Sequence, residues 1–356
     1  MKKINLFICH RPYHILRSAD IVHRYYQSPD YSNILFKFSV IDIVNNNYKE
    51  IKSLHIIEKM FNEIVSIDRS DDVSIWHIFQ YLSYQKNKEE EFSKYVSLYH
   101  NFDNIYFFSD LEKPVEILVG MMREHKRKEA KIILVDEGVA AYHRSRKRIG
   151  TFFKHAVLFI FPIKYINTGI YYGESSLYDM SLATFPEKSY FHGETKQLLP
   201  ISFNLVSKIV EFIGIDIDVK KPYLLYLSSL LYQNYGIKLE DEIKILRNLL
   251  NISEDTGYAF YIKPHPVQPI DDYKQDAMLK GHVIESNVPA ELLMNENCCV
   301  VSLGSSAVIN AVMQGVKVID LSDLFNVKNI TYRDLVSVFS PKNISDISTY
   351  LQERND

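Results

Sequence analysis

Ile132-Ile133-Leu134-Val135-Asp136-Glu137-Gly138 is an apolar run closed by two carboxylates and a glycine, and its reading decides the fold. A short uninterrupted apolar run suits a strand covered on both faces, as in a parallel sheet. Working outward, Ile4 to Cys9, Ile34 to Ile43, Ile64 to Ile67 and Ile105 to Phe108 are runs of the same kind. Helical patterns near Tyr13 to Tyr26, Tyr48 to Phe61, Trp76 to Tyr99 and Val115 to Arg127 separate them. Strand and helix in alternation predict a parallel sheet with helices on both faces.

After Pro186 the pattern loosens. Pro200 to Ile213 predicts a helix, and the polar stretch Gly214 to Pro222 reads as a connection. The alternation then resumes, with strands at Tyr223 to Leu227, Ala259 to Lys263, His282 to Glu285, Cys299 to Leu303 and Lys317 to Leu321. Helices are expected at Leu239 to Leu250, Ala290 to Asn295 and Ala307 to Gln314. A chain of 356 residues suits two such domains better than one. The expected fold class is therefore α/β, with two doubly wound Rossmann-like domains over residues 1–215 and 216–356. Ligands of such sheets bind beyond the carboxyl ends of the strands.

Composition narrows the functions. A formal charge of −3 supplies no global field for nucleic acid. Cys9, Cys298 and Cys299 make neither a disulfide framework nor a metal-type Cys/His spacing, which predicts a reducing, cytoplasmic setting. No apolar run reaches the roughly 20 residues of a membrane span. The stretch from Phe152 to Ile166, next to the basic His143 to Arg148, could instead lie on an anionic bilayer surface, and a buried helix with a basic cap explains it as well.

Three constellations at strand ends can carry chemistry. The first is Asp136-Glu137-Gly138, where an acid of restricted solvation could serve as a general base and glycine lets the backbone turn; an N-cap accounts for the acid equally. The second is Lys263-Pro264-His265-Pro266, in which prolines hold one imidazole rigidly and Lys263 offers a second phosphate contact. The third is Gly304-Ser305-Ser306, two hydroxyls at a predicted helix N-terminus, suited to an anion or to plain capping. Weaker candidates are Glu291, placed to hold a ribose diol, and Ser228-Ser229 after the first strand of the second domain. Asp216-Ile217-Asp218 has the form of a metal-binding motif, yet it lies in the connection and reads as solvated linker.

The order of these motifs, an Asp-Glu-Gly followed by His-Pro and then Ser-Ser, resembles bacterial sialyltransferases. The chain looks most like the lipooligosaccharide and capsule enzymes of glycosyltransferase family fifty-two, from the loop Cys9-His10-Arg11-Pro12-Tyr13-His14 to about Asp320. The resemblance implies a GT-B fold whose two domains face a central cleft. It implies an inverting, metal-independent transfer of sialic acid from CMP-sialic acid to a terminal galactose, of α-2,3 type. Asp136 would then be the base with Glu137 beside it. His265 would assist departure of CMP, and Lys263, Pro266, Ser228, Ser229, Glu291, Gly304, Ser305 and Ser306 would line the donor site. Gly138, His10, Arg11 and Tyr13 would stand on the acceptor side. The family often has Thr-Pro-Leu-Gln-like residues where this chain has Arg11-Pro12-Tyr13-His14, and some members transfer glucose. No cofactor is expected. The expected partners are a nucleotide-sugar donor and a glycan acceptor, with contact to the inner face of the cytoplasmic membrane and a homodimer as options. A glycerophosphotransferase and a non-catalytic nucleotide-sugar-binding protein are the alternatives.

Overall fold

A computed structural model gives the fold. It describes residues 2–38, 52–68, 78–142, 163–165, 172–213, 221–265, 268–284, 288–328 and 331–353. Pro266, Asp216 to Asp218, His143 to Arg148 and most of Phe152 to Ile166 lie outside the described residues.

Among the described residues the first compact unit holds residues 2–38 and 54–199, and the second holds Lys52, Ser53 and residues 200–353. In the first unit β1 (Lys3–Cys9), α1 (Pro12–Tyr25), β2 (Tyr31–Phe38), α2 (Lys52–Glu58), β3 (Glu63–Ile67), α3 (Ile78–Tyr99), β4 (Asn104–Phe107), α4 (Lys113–Glu124) and β5 (Lys131–Val135) follow one another. Then come β6 (Met180–Ala183) and β7 (Glu194–Gln197). All seven strands are parallel, in the order β3-β2-β1-β4-β5-β6-β7. Leu6, Ile8, Ile34, Phe36, Ile105, Phe107, Ile132 and Leu134 form its core, so the apolar runs are the strands buried against helices. The order reverses direction between β1 and β4, and that reversal opens a crevice above their carboxyl ends.

The second unit contains α5 (Phe203–Ile213), β8 (Tyr223–Leu227), α6 (Leu231–Tyr235), α7 (Leu239–Thr256), β9 (Ala259–Lys263), α8 (Asp271–Lys274), β10 (Cys298–Ser302), α9 (Ala307–Met313), β11 (Lys317–Asp320) and α10 (Ser345–Gln352). Its four parallel strands run β11-β10-β8-β9, with the reversal between β10 and β8.

Several expectations shift. Helix α5, placed by sequence in the domain ending at 215, packs on the turn Ala290–Leu293 of the second unit. Ile201 just before it is tied there as well, its N–H reaching Asn310 Oδ1 at 3.4 Å and its carbonyl taking the Gln314 amide at 2.7 Å. The polar connection is therefore not where contacts divide. The expected strand at His282 to Glu285 is, over its described residues, a 3-10 turn at Lys280–His282 and a single bridge from Val283 to Ile262. Ala290–Leu293 is likewise a 3-10 turn and not a full α-helix.

Candidate active site

In the first unit the residues leaving β1, β4 and β5 meet at the crevice. Pro12 starts α1, fixing its first turn, and places His14 one turn beyond His10. The His14 ring stacks on Phe108, just past β4, with centroids 4.5 Å apart and planes at 6°. Its Nε2 lies 3.1 Å from Glu137 Oε2, and its Nδ1 faces the backbone N–H of His10 at 3.5 Å. The His10 ring meets it edge-on at 4.3 Å. Burial drives the His14 pKa well below the usual imidazole range, helped by the Arg11 charge, so His14 is neutral at physiological pH. Arg11 is exposed, with Nη1 3.9 Å from Glu137 Oε2. Tyr13 turns aside, and its hydroxyl accepts from Arg17 Nη2 at 3.1 Å.

The adjacent acids have different surroundings. Asp136 is 1% exposed. One of its oxygens accepts the Gly138 N–H at 2.6 Å, and the other accepts the Tyr142 hydroxyl and, at 3.1 Å, the Thr184 N–H. Gly138 takes a φ of +118°, which a side chain would strain. The Glu137 side chain keeps 12% exposure. Burial raises both pKa values; hydrogen bonds from Tyr142, Gly138 and Thr184 oppose this at Asp136, and the Arg11 charge opposes it at Glu137. Asp110, past β4, is a third acid that the motif reading missed. It accepts the N–H groups of Gly173 and Ser175 at 3.0 Å, yet burial holds its pKa up at about 6.

One nitrogen of His10, one of His14 and one oxygen of Glu137 lie within 4.8 Å of each other, a spacing a cation could span. A cation there would need the lone pair of His14 Nε2 and so a proton on Nδ1, which faces the His10 backbone N–H at 3.5 Å.

In the second unit the sequence motifs again collect at the sheet reversal. Ser228 N–H donates to Lys263 O at 3.1 Å, joining the ends of β8 and β9. The Ser229 hydroxyl donates to Leu303 O, joining the ends of β8 and β10. With β8 between them, the loops after Lys263 and Ser302 stand about two strand spacings, or ~10 Å, apart. Lys263 is buried and its pKa is lowered to about 8 by desolvation, against the pull of Glu291. His265, partly buried, is lowered to about 4 by desolvation and then by the Lys263 charge. At neutral pH the pair is thus a cation beside a neutral imidazole. Glu291 is itself buried and acts on Lys263.

Ser306 precedes α9 without a capping side-chain bond, so capping does not consume its hydroxyl. Gly304 has φ +83°, and a Cβ there would come within 2.3 Å of the Tyr235 hydroxyl. Its N–H points to the Tyr332 hydroxyl at 3.3 Å. The glycine is thus needed for its backbone angle and for Tyr235. A buried chain also runs through Ser228: Glu242 accepts from Tyr226 and Tyr273 at 2.8 Å, the Tyr273 oxygen lies 2.9 Å from that of Ser228, and the Ser228 hydroxyl donates to Gln268 Oε1. A buried cation, a neutral imidazole and hydroxyls around one sheet reversal can receive an anion.

The family model described as alpha-2,8-polysialyltransferase matches residues 5–322 of this chain. The chain belongs to the alpha-2,8-polysialyltransferase family. It is therefore a glycosyltransferase of the sialyltransferase kind; the match does not support the α-2,3 linkage expected from sequence. No curated protein matches the chain. Among solved structures, the GT-B domain of the Photobacterium damselae sialyltransferase is similar at 12% identity, with a TM-score of 0.51 over 95% of this chain and 100% of that one. The S. aureus MnaA–UDP structure is similar at 13% identity, with a TM-score of 0.54 over 100% of this chain and 89% of that one. The wall teichoic acid polymerase TagF, at 10% identity, gives a TM-score of 0.51 over 99% of this chain and 79% of that one. These likenesses show the fold, which is GT-B.

Proposed function

We propose that this chain transfers sialic acid from CMP-sialic acid, with inversion, onto a glycan that already ends in sialic acid. The family match over residues 5–322 carries the reading. It spans the acidic tip Asp136-Glu137, His265 and the Ser305-Ser306 pair, and it names a linkage between sialic acids. An acceptor hydroxyl oxygen attacks the donor's anomeric carbon, the bond from that carbon to the phosphate oxygen breaks, and CMP leaves. The hydroxyl proton passes to the acidic tip, as general-base catalysis requires. Lys263, His265, Ser305 and Ser306 receive the charge that develops on the CMP phosphate, so the chemistry calls for no metal. Capsule or lipooligosaccharide glycans, elongated at the inner face of the cytoplasmic membrane, are the acceptor class that goes with this reading.

The experiment is incubation of the full chain with CMP-sialic acid and a sialic-acid-terminated primer in EDTA. Primer elongation with release of CMP is expected. Transfer to lactose alone would refute the acceptor. Turnover of CDP-glycerol instead, or donor binding without product, would refute sialyl transfer.

A further inference from the structure

We infer that Glu137, oriented by His14, is the base of the acidic tip, and that Asp136 holds the loop that presents it. The inference rests on the sialyl-transfer reading and deepens it. A base must offer the acceptor a lone pair. Asp136 has both oxygens engaged, with donors from Gly138, Tyr142 and Thr184, and is 1% exposed. Those donors belong to the turn after β5 and the end of β6, so the carboxylate ties two loops together. Glu137 has a hydrogen bond on Oε2 alone, from His14 at 3.1 Å, and no described residue donates to Oε1.

His14 suits the role of positioning residue. Its ring is clamped on Phe108 and edge-on to His10, and the His10 backbone N–H, 3.5 Å from Nδ1, favours the tautomer that donates from Nε2 to the carboxylate. A neutral donor orients a carboxylate without cancelling its charge, which leaves it basic. The titratable and charged groups around Glu137 are His10, Arg11 and His14 from the β1–α1 corner, Asp110 past β4, Asp136 beside it, and Tyr172. Arg11 is exposed and 3.9 Å away.

The test uses the full chain with CMP-sialic acid and a sialylated primer. Glu137→Gln should lose at least roughly a hundredfold in kcat while keeping its Tm and its affinity for CMP. His14→Phe keeps the stack and removes the donor. It should lower kcat about tenfold or more and move the acidic limb of the kcat–pH profile upward, since the bond it deletes favours ionised Glu137. KM for CMP-sialic acid should not change, and His14→Gln, which restores a donor, should recover part of kcat. A Glu137→Gln enzyme within tenfold of the parent, alongside a folded Asp136→Asn enzyme that has lost a hundredfold, would overturn the assignment. So would a His14→Phe profile with an unmoved limb. If the parent chain itself transfers no sialic acid, the functional reading fails first, and that failure is visible before any variant is made.

Discussion

Donor binding should depend on pH in two directions, because Lys263 and His265 are both held below their ordinary pKa. Free His265 titrates at about 4 and free Lys263 at about 8. A bound phosphodiester favours the protonated form of each. Suppose it returns His265 to ~6.5 and Lys263 to ~10.5, their ordinary values. Linkage then makes binding about twentyfold tighter at pH 5 than at pH 7, through His265, and about tenfold weaker at pH 9 than at pH 7, through Lys263. Near pH 5 each binding event should take up close to one proton. The ligand must not hydrolyse in acid, so the 3-fluoro analogue of CMP-sialic acid is the probe, and the His265→Gln chain corrects for proton uptake by its cytosine ring near pH 5. Calorimetry in two buffers of different ionisation enthalpy reads affinity and proton uptake together. His265→Gln should flatten the acid arm and leave the alkaline arm, whereas Lys263→Met should flatten the alkaline arm and move the acid arm to higher pH, because it also removes the charge that lowers His265. Affinity in the parent chain that is level from pH 5 to pH 7, with no proton uptake, would refute phosphate contact by His265.

Two further outcomes follow from geometry. Tyr142→Phe deletes a hydrogen bond to the buried Asp136 carboxylate and orphans the Phe185 N–H, which the hydroxyl accepts at 3.0 Å. About 3 kcal/mol of stability should be lost, seen as a Tm lowered by roughly 6–12 °C; a loss below ~1 kcal/mol would mean Asp136 does not hold the loop. Gly304→Ala and Gly257→Ala both place a side chain at positive φ, +83° and +75°, each costing about 1–2 kcal/mol. Gly257 has open space around it, whereas Gly304 faces Tyr235. Denaturant melts should therefore show the larger loss for Gly304→Ala, which adds displacement of Tyr235 to the backbone cost, and only Gly304→Ala should weaken binding of the donor analogue; equal binding by both variants would take the Gly304 loop out of the donor site.

Much of the strand placement was legible because parallel strands covered on both faces leave unbroken apolar runs. β1, β4, β5, β8, β9 and β10 were located that way, to within a residue or so at each end. β6 and β7 were not legible. Met180–Ala183 is four residues long, and Glu194–Gln197 is a polar edge strand with one face in water, so neither carries the pattern. His282 to Glu285 failed in the opposite way. Its apolar residues Val283 and Ile284 are only partly buried, the His282 ring turns to the Phe260 carbonyl at 3.0 Å, and contact with β9 stops at one bridge between Val283 and Ile262, in which the Ile284 N–H donates to the Ile262 carbonyl at 2.8 Å.

The site was legible in its motifs and illegible in its partners. Consecutive residues at the end of an extended strand point to opposite sides, so Asp136 and Glu137 could not both face one ligand. Which acid faces it depends on His14, Tyr142 and Thr184, residues up to 123 positions away in the chain. The doubly wound order makes that choice. It brings the β1–α1 corner beside the ends of β4 and β5, so an imidazole in the first turn of α1 reaches the second carboxylate. The first is left to the turn after β5 and the end of β6. A sequence motif of two acids thus specifies chemistry without specifying the acid, and the strand order supplies the rest.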